Sequence, residues 1–133
     1  MDMRLPEDLK ILLVEDNQIN QRIAALLFKK SGLKYDVAFD GMDAFDKYRQ
    51  RSYDLILMDV QMPVMDGLEC TRLIREFERG SDLHHRAFIV ALTGSETSDK
   101  KDICMEAGMD EFIEKPIRAE WLHKLVSLRL SDF

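Results

Sequence analysis

Three carboxylates at the ends of two apolar runs are the first chemical signal in this chain. "LLVEDN" (residues 12–17) closes on Glu15 and Asp16, and "LILMDVQMPVMDG" (residues 55–67) carries Asp59 at the end of four apolar residues. Two further runs end in polar groups of a different kind, "VALTG" in the Thr93 hydroxyl and "EKPI" in the Lys115 ammonium. Acids forced together in a partly desolvated cleft repel by several kcal/mol at an effective dielectric of about 20, so such a set calls for a counterion. Hard oxygen ligands in small number suit Mg²⁺, with Mn²⁺ able to substitute. Ca²⁺ fits less well, because no D-x-D-x-D-G loop supplies many oxygens locally. A cation, a hydroxyl and an ammonium could together hold the three peripheral oxygens of a phosphoryl group while Asp59 attacks phosphorus, which is covalent catalysis by a carboxylate.

That chemistry requires residues more than forty positions apart to meet, and the rhythm of the chain supplies a means. Short apolar runs, "KILLV", "YDVAF", "LILM", "AFIVAL" and "EFI", alternate with longer stretches whose apolar residues recur at helical spacing. "LILM" and "AFIVAL" are apolar on both faces, as central parallel strands are; "YDVAF" alternates at Tyr35, Val37 and Phe39 and reads as an edge strand. The helical stretches are marked by Ile19, Ile23, Leu26 and Leu27 between an Asn17 cap and Gly32; by Met42, Phe45 and Tyr48; by Cys70, Leu73, Ile74 and Phe77; by Ile103, Cys104 and Ala107 before Gly108; and by Trp121, Leu122, Leu125 and Val126. Five βα units predict a single α/β domain over residues 1–133, core about 10–130, with a doubly wound parallel sheet in the order 2-1-3-4-5. Its switch point then lies between strands one and three, where ligand sites form beyond the carboxyl ends of the strands.

Composition excludes several alternatives. The net charge is -6 over 133 residues, which disfavours general affinity for nucleic-acid backbones or anionic membranes. The longest apolar run, Ile23 to Phe28, is far below the roughly 20 residues of a membrane span, and the charged "MDMRLPEDLK" start is unlike a signal peptide. Cys70 and Cys104 lack CxxC spacing and read as reduced thiols packed on helices, so a cytoplasmic location is expected. Neither GxGxxG nor GxxxxGK[ST] is present. His84 and His85 in "RGSDLHHR", and His123, have no metal-ligand spacing and read as solvated.

Four motifs in register, "LLVEDN", "LILMDVQMPVMDG", "VALTG" and "EKPI", resemble the receiver domain of two-component response regulators, a flavodoxin-like (βα)5 family, over about Lys10 to Leu130. "EDNQIN" and "MDVQMPVMDG" are most similar to receivers of hybrid histidine kinases and phosphorelays. The resemblance implies that Asp59 accepts a phosphoryl group from a phosphohistidine on a histidine kinase or phosphotransfer domain. It further implies that Glu15, Asp16, Asp59 and the Gln61 carbonyl hold Mg²⁺, Asp16 more directly than Glu15. Thr93 and Lys115 then bind phosphoryl oxygens, Phe112 takes the place of the family's aromatic switch, and Lys115-Pro116 matches a bond that is cis in the family. Glu15 and Gly94 depart from the commoner Asp and Ala, with consequences for metal affinity and dephosphorylation rate.

Three rivals remain at this point. An aspartyl-nucleophile phosphatase usually carries a second Asp two residues after the nucleophile, and position 61 is Gln. A flavin mononucleotide carrier wants a Ser/Thr/Gly loop after the first strand, where this chain has two acids. A receiver-like scaffold that is never phosphorylated would not need the intact acid set.

Overall fold

The computed structural model describes residues 9–62, 64–81, 86–94, 99–115 and 117–131. Five strands, β1 (Ile11–Val14), β2 (Asp36–Ala38), β3 (Leu55–Asp59), β4 (Phe88–Thr93) and β5 (Glu111–Glu114), alternate with five helices, α1 (Gln18–Ser31), α2 (Gly41–Gln50), α3 (Gly67–Arg79), α4 (Asp99–Ala107) and α5 (Ala119–Ser131). The sheet runs β2-β1-β3-β4-β5 with every neighbouring pair parallel, as the alternation predicts.

Strand periodicity divides the core into two layers. Leu12, Val14, Ile56, Met58, Ile89 and Ala91 face one side, where α2, α3 and α4 bring Tyr48, Cys70, Ile74 and Cys104. The intervening residues Ile11, Leu13, Leu55, Leu57, Val90 and Leu92 face the other, against Ala24 and Phe28 of α1 and Leu122 of α5. Both faces of β1, β3 and β4 are therefore buried, which accounts for their uninterrupted apolar runs. Each of the first three helices starts on a side-chain cap: Asn17 accepts from the Asn20 N–H at 3.0 Å, Asp40 from Asp43 at 2.8 Å and Asp66 from Glu69 at 2.9 Å.

Side-chain placement corrects several expectations. Ile19 and Leu26 are 68% and 63% exposed, and α1 instead buries Ala24 and Phe28. The phase follows the aromatic ring: Phe28 stacks on Tyr35 at 4.2 Å and takes the sheet-facing position. Phe39 lies past the end of β2 and is exposed, as are Met42 and Ile103, while Ala38, Ala44 and Cys104 fill the core next to them. Cys70 and Cys104 are both buried, and neither is in a disulfide. Pro63, His84, His85 and Pro116 lie outside the described residues, as do the side chains of Leu125 and Val126. No described helix is long and apolar enough to cross a membrane.

A buried ion network at the amino-terminal edge of the sheet had no counterpart in the sequence reading. Arg75 of α3 donates to the Gly108 carbonyl at 2.8 Å, to the Ala87 carbonyl at 2.9 Å, to Glu78 at 2.8 Å and to Asp110 at 2.7 Å. Glu78 also accepts from the Tyr48 hydroxyl and the Ala87 N–H, and Asp110 from the Ile89 N–H. Gly108 has φ +110°, and a Cβ there would stand 2.8 Å from the Arg75 side chain, so its lack of a side chain admits the guanidinium.

Candidate functional site

Parallel strands all point their carboxyl ends the same way, and the sheet order sets β1 beside β3 and β4 beside β5. The residues that follow or finish those strands line one cleft of about 470 Å³, formed by Glu15, Asp16, Asp59, Gln61, Thr93 and Lys115 with the start of α1. Every site residue expected from the sequence is in this cleft except Phe112, which lies half-buried on β5 against the α2–α4 layer of the core.

Carboxylate oxygens of Glu15, Asp16 and Asp59 lie within 4.8 Å of one another. Glu15 and Asp59 are buried, 2% and 3% exposed, whereas Asp16 is open to solvent. Lys115 Nζ reaches Asp59 Oδ2 at 3.0 Å and Glu15 Oε1 at 3.1 Å, bridging the two buried acids. The remaining oxygens take backbone donors: the Gln61 N–H to Asp59 Oδ1 at 3.2 Å, and the Asn17 N–H to Glu15 Oε2 at 3.2 Å. Asp16 has no hydrogen-bond or ion-pair partner among the described residues, so its carboxylate is the least committed of the three.

Burial, together with the hydrogen bond and charge of Asp59, pushes the Glu15 carboxyl above the usual range, although Lys115 and Asn17 pull it back. Burial alone would lower the Lys115 ammonium, but its bonds to Asp59 and Glu15 outweigh that and raise it, so the bridge is charged at neutral pH. Three hard oxygen donors within 4.8 Å, one of them uncommitted, fit a small divalent cation such as Mg²⁺. The Thr93 side chain is buried, and its hydroxyl makes a long hydrogen bond of 3.4 Å to the Ile113 carbonyl. Such a contact costs little to exchange for a better acceptor.

Local backbone geometry explains how Asp59 is held. The Val60 N–H bonds the Leu92 carbonyl, and the Gly67 N–H bonds the Val60 carbonyl, which pins the loop after β3 from both sides. A Cβ at Gly67 would collide with the Asp59 carbonyl oxygen, so the first turn of α3 packs directly on the Asp59 backbone only with glycine there. Gln21 had no place in the sequence reading. Its side-chain amide donates to the Glu15 carbonyl at 2.6 Å, and the available signal was its position on the first turns of α1, facing the end of β1.

Comparison with known proteins gives consistent results. The family model described as the response regulator receiver domain matches residues 11–127. Hybrid signal transduction histidine kinase K of Dictyostelium discoideum is 40% identical over 129 residues, covering 94% of this chain and 11% of that protein. The response regulator mcs4 of Schizosaccharomyces pombe is 35% identical over 141 residues, covering 90% of this chain and 27% of that protein. The chain thus spans a small part of the curated relatives it matches. Among solved structures, the receiver domain of Saccharomyces cerevisiae Ssk1, crystallised with the histidine phosphotransfer protein Ypd1, is 33% identical with a TM-score of 0.81, covering 92% of this chain and 88% of that one. The receiver domain of the Pseudomonas aeruginosa sensor histidine kinase PA1611, which has a magnesium ion in its active-site cleft, is also 33% identical with a TM-score of 0.81, covering 92% and 98%.

Proposed function

The chain belongs to the response regulator receiver domain family of two-component and phosphorelay signalling, and from that premise we propose that Asp59 is its phosphoacceptor. The observation that carries the reading is the Lys115 bridge: a buried Asp59 held at 3.0 Å by an ammonium, inside a cleft that also presents Asp16, Gln61 and Thr93. An Asp59 carboxylate oxygen attacks the phosphorus of a phosphohistidine. The P–N bond breaks, its electron pair returns to the imidazole nitrogen, which takes up a proton, and an aspartyl phosphate forms.

Each side chain has a distinct part in that step. Lys115 cancels charge on Asp59 in the resting state and follows it onto a phosphoryl oxygen, while the Thr93 hydroxyl exchanges the weak Ile113 contact for a second phosphoryl oxygen. Asp16, Asp59 and the Gln61 carbonyl would hold Mg²⁺, with Glu15 contributing through water, and the exposed Asp16 carboxylate, unpaired among the described residues, is the oxygen donor most ready to take the ion. The cation, for which Mn²⁺ can substitute, supplies positive charge to the transferring oxygens. Inward rotation of Thr93 opens space toward Phe112, and the two residues together bias the surface of α4, β5 and α5 between two arrangements. Asp59 is consumed once per transfer, so the domain is a switch or relay that assists its own phosphorylation and dephosphorylation rather than a turnover enzyme. The donor is a histidine kinase or a phosphotransfer domain of the kind that accompanies the Ssk1 receiver, and the reaction belongs to the cytoplasm. The phosphatase alternative is disfavoured by Gln61, which offers no acid/base group to the leaving oxygen.

Incubation with acetyl phosphate, with and without Mg²⁺, followed by intact-mass measurement tests the reading. One labile phosphate adduct is expected with Mg²⁺ and none for Asp59→Asn, whose thermal melt stays close to that of the parent chain. A folded wild-type protein that acquires no adduct under either condition overturns it.

A further inference from the structure

We propose that Gln21 is a positioning residue for the acid pair, setting the direction of Asp16 through the Glu15 peptide group; the inference rests on the phosphoacceptor reading above. The Glu15 N–H still belongs to the sheet, bonding the Ala38 carbonyl at 3.0 Å. In a parallel ladder the carbonyl of the same residue would take the next donor along β2, but β2 ends at Ala38 and the chain turns away into α2. The Gln21 amide supplies the missing donor at 2.6 Å. Since a carbonyl only accepts, the amide nitrogen must be the group facing it.

The consequence reaches Asp16 because the Glu15 carbonyl and the Asp16 N–H share one rigid peptide plane. The sheet holds the preceding Val14–Glu15 peptide through the Glu15 N–H, and α1 holds the Glu15–Asp16 peptide through Gln21, so the two planes leading into the Asp16 Cα are both tied down. Asp16 needs such anchoring, since its carboxylate is exposed and takes no hydrogen bond or ion pair among the described residues. Glu15, by comparison, is held by its own side chain through Lys115 and the Asn17 N–H. Gln21 is itself anchored by the helix, its N–H bonding the Asn17 carbonyl at 3.0 Å. The acid with the fewest side-chain restraints thus depends on a hydrogen bond made by the residue five positions further along the chain.

The test compares Gln21→Leu, which keeps bulk and loses the donor, with Gln21→Arg, which keeps a donor of similar reach. Isothermal titration of Mg²⁺ without any phosphodonor is the principal readout, alongside the thermal melt and the rate of adduct formation from acetyl phosphate. Removing an outer partner of a metal site commonly weakens binding by about tenfold or more, so Gln21→Leu is expected to bind Mg²⁺ about tenfold more weakly. Its phosphorylation rate should recover at saturating Mg²⁺, and Gln21→Arg should match the parent. A Gln21→Leu protein that melts earlier yet binds Mg²⁺ like the parent refutes the inference and leaves the phosphoacceptor reading intact. A parent protein that binds no Mg²⁺ and takes no phosphate overturns both. Should Gln21→Leu fail to fold, nuclear magnetic resonance of the parent decides: slowed solvent exchange of the Gln21 side-chain amide protons supports the clamp, and free exchange refutes it.

Discussion

Replacing Lys115 by Met removes the cation that lies between two buried carboxylates, and the size of the effect can be worked in two ways. Glu15 and Asp59 offer oxygens within 4.8 Å of each other, and two unit charges at that separation repel by about 3.5 kcal/mol at an effective dielectric of about 20. Glu15 can instead escape by taking a proton; doing so at neutral pH, starting from an unperturbed carboxyl near 4.3, costs about 3.7 kcal/mol. The two routes are nearly equal, so Lys115→Met should lose about 3.5 kcal/mol of folding stability at neutral pH. The loss must depend on pH in a definite sense. Glu15 has a folded-state pKa above its unfolded value, so its protonated form favours the fold, and the penalty from the variant should shrink as pH falls toward the ordinary carboxyl range. In the parent, the raised Lys115 ammonium contributes stability that persists through neutral pH and is lost only above the ordinary lysine range. Urea unfolding of both proteins from about pH 5 to about pH 8 measures the difference. Added Mg²⁺ should restore part of the loss by replacing the missing positive charge. A penalty below about 1 kcal/mol that is flat across this range would refute the electrostatic account of the cleft.

Two further outcomes concern groups away from the cleft. Arg75→Met strands Glu78 and Asp110 without their shared guanidinium, and breaking a buried pair from one side costs about 3 kcal/mol or more. Chemical denaturation should show that loss, while the phosphate adduct on Asp59 still forms in the folded fraction. Burial, with added repulsion from Asp40, Asp66 and Glu69, pushes the Cys70 thiol up to about 12. The unfolded thiol ionises near pH 8.5, so the folded chain binds more protons above that point, and this residue costs up to about 1.4 kcal/mol per pH unit until the folded thiol also ionises. Urea midpoints should therefore fall less steeply with rising pH for Cys70→Ala than for the parent. Alkylation of Cys70 in the folded protein at about pH 8 would contradict the burial that underlies the prediction.

The sheet order and the site were legible because both are written in short, strongly constrained signals. A strand buried on both faces must be apolar throughout, so "LILM" and "AFIVAL" declare themselves, and the polar residue that ends such a run has one place to go. Asp59, Thr93 and Lys115 were found in that way, and Asp16 and Glu15 by the same logic on β1. Helix phase was less legible. On α1 the aliphatic residues Ile19 and Leu26 resemble a core stripe, yet the stacking of Phe28 on Tyr35 turns them outward. That contact joins α1 to the approach to β2 and has no periodic signature. Gln21 and Arg75 were missed for a related reason: each satisfies backbone carbonyls brought near by the fold, and a carbonyl leaves no trace in the residue type that carries it.

Charge balance separates the two ends of this sheet in a way that residue types alone do not. At the amino-terminal edge Arg75 and Arg86 face Glu78 and Asp110, equal in number, and each buried acid also accepts a backbone N–H. Such a cluster is complete, and its effect is to tie α3 to β4 and to the turn before β5. At the carboxyl-terminal edge three acids stand beside one cation, Lys115, which pairs with Glu15 and Asp59 only, leaving two negative charges uncompensated within the described cleft when all are ionised. An excess of that size, with one carboxylate lacking any partner among the described residues, is relieved by a proton or by a cation from solvent. The same fold thus neutralises one ionic cluster internally and leaves the other short of positive charge, and that deficit is what would draw a cation to the second.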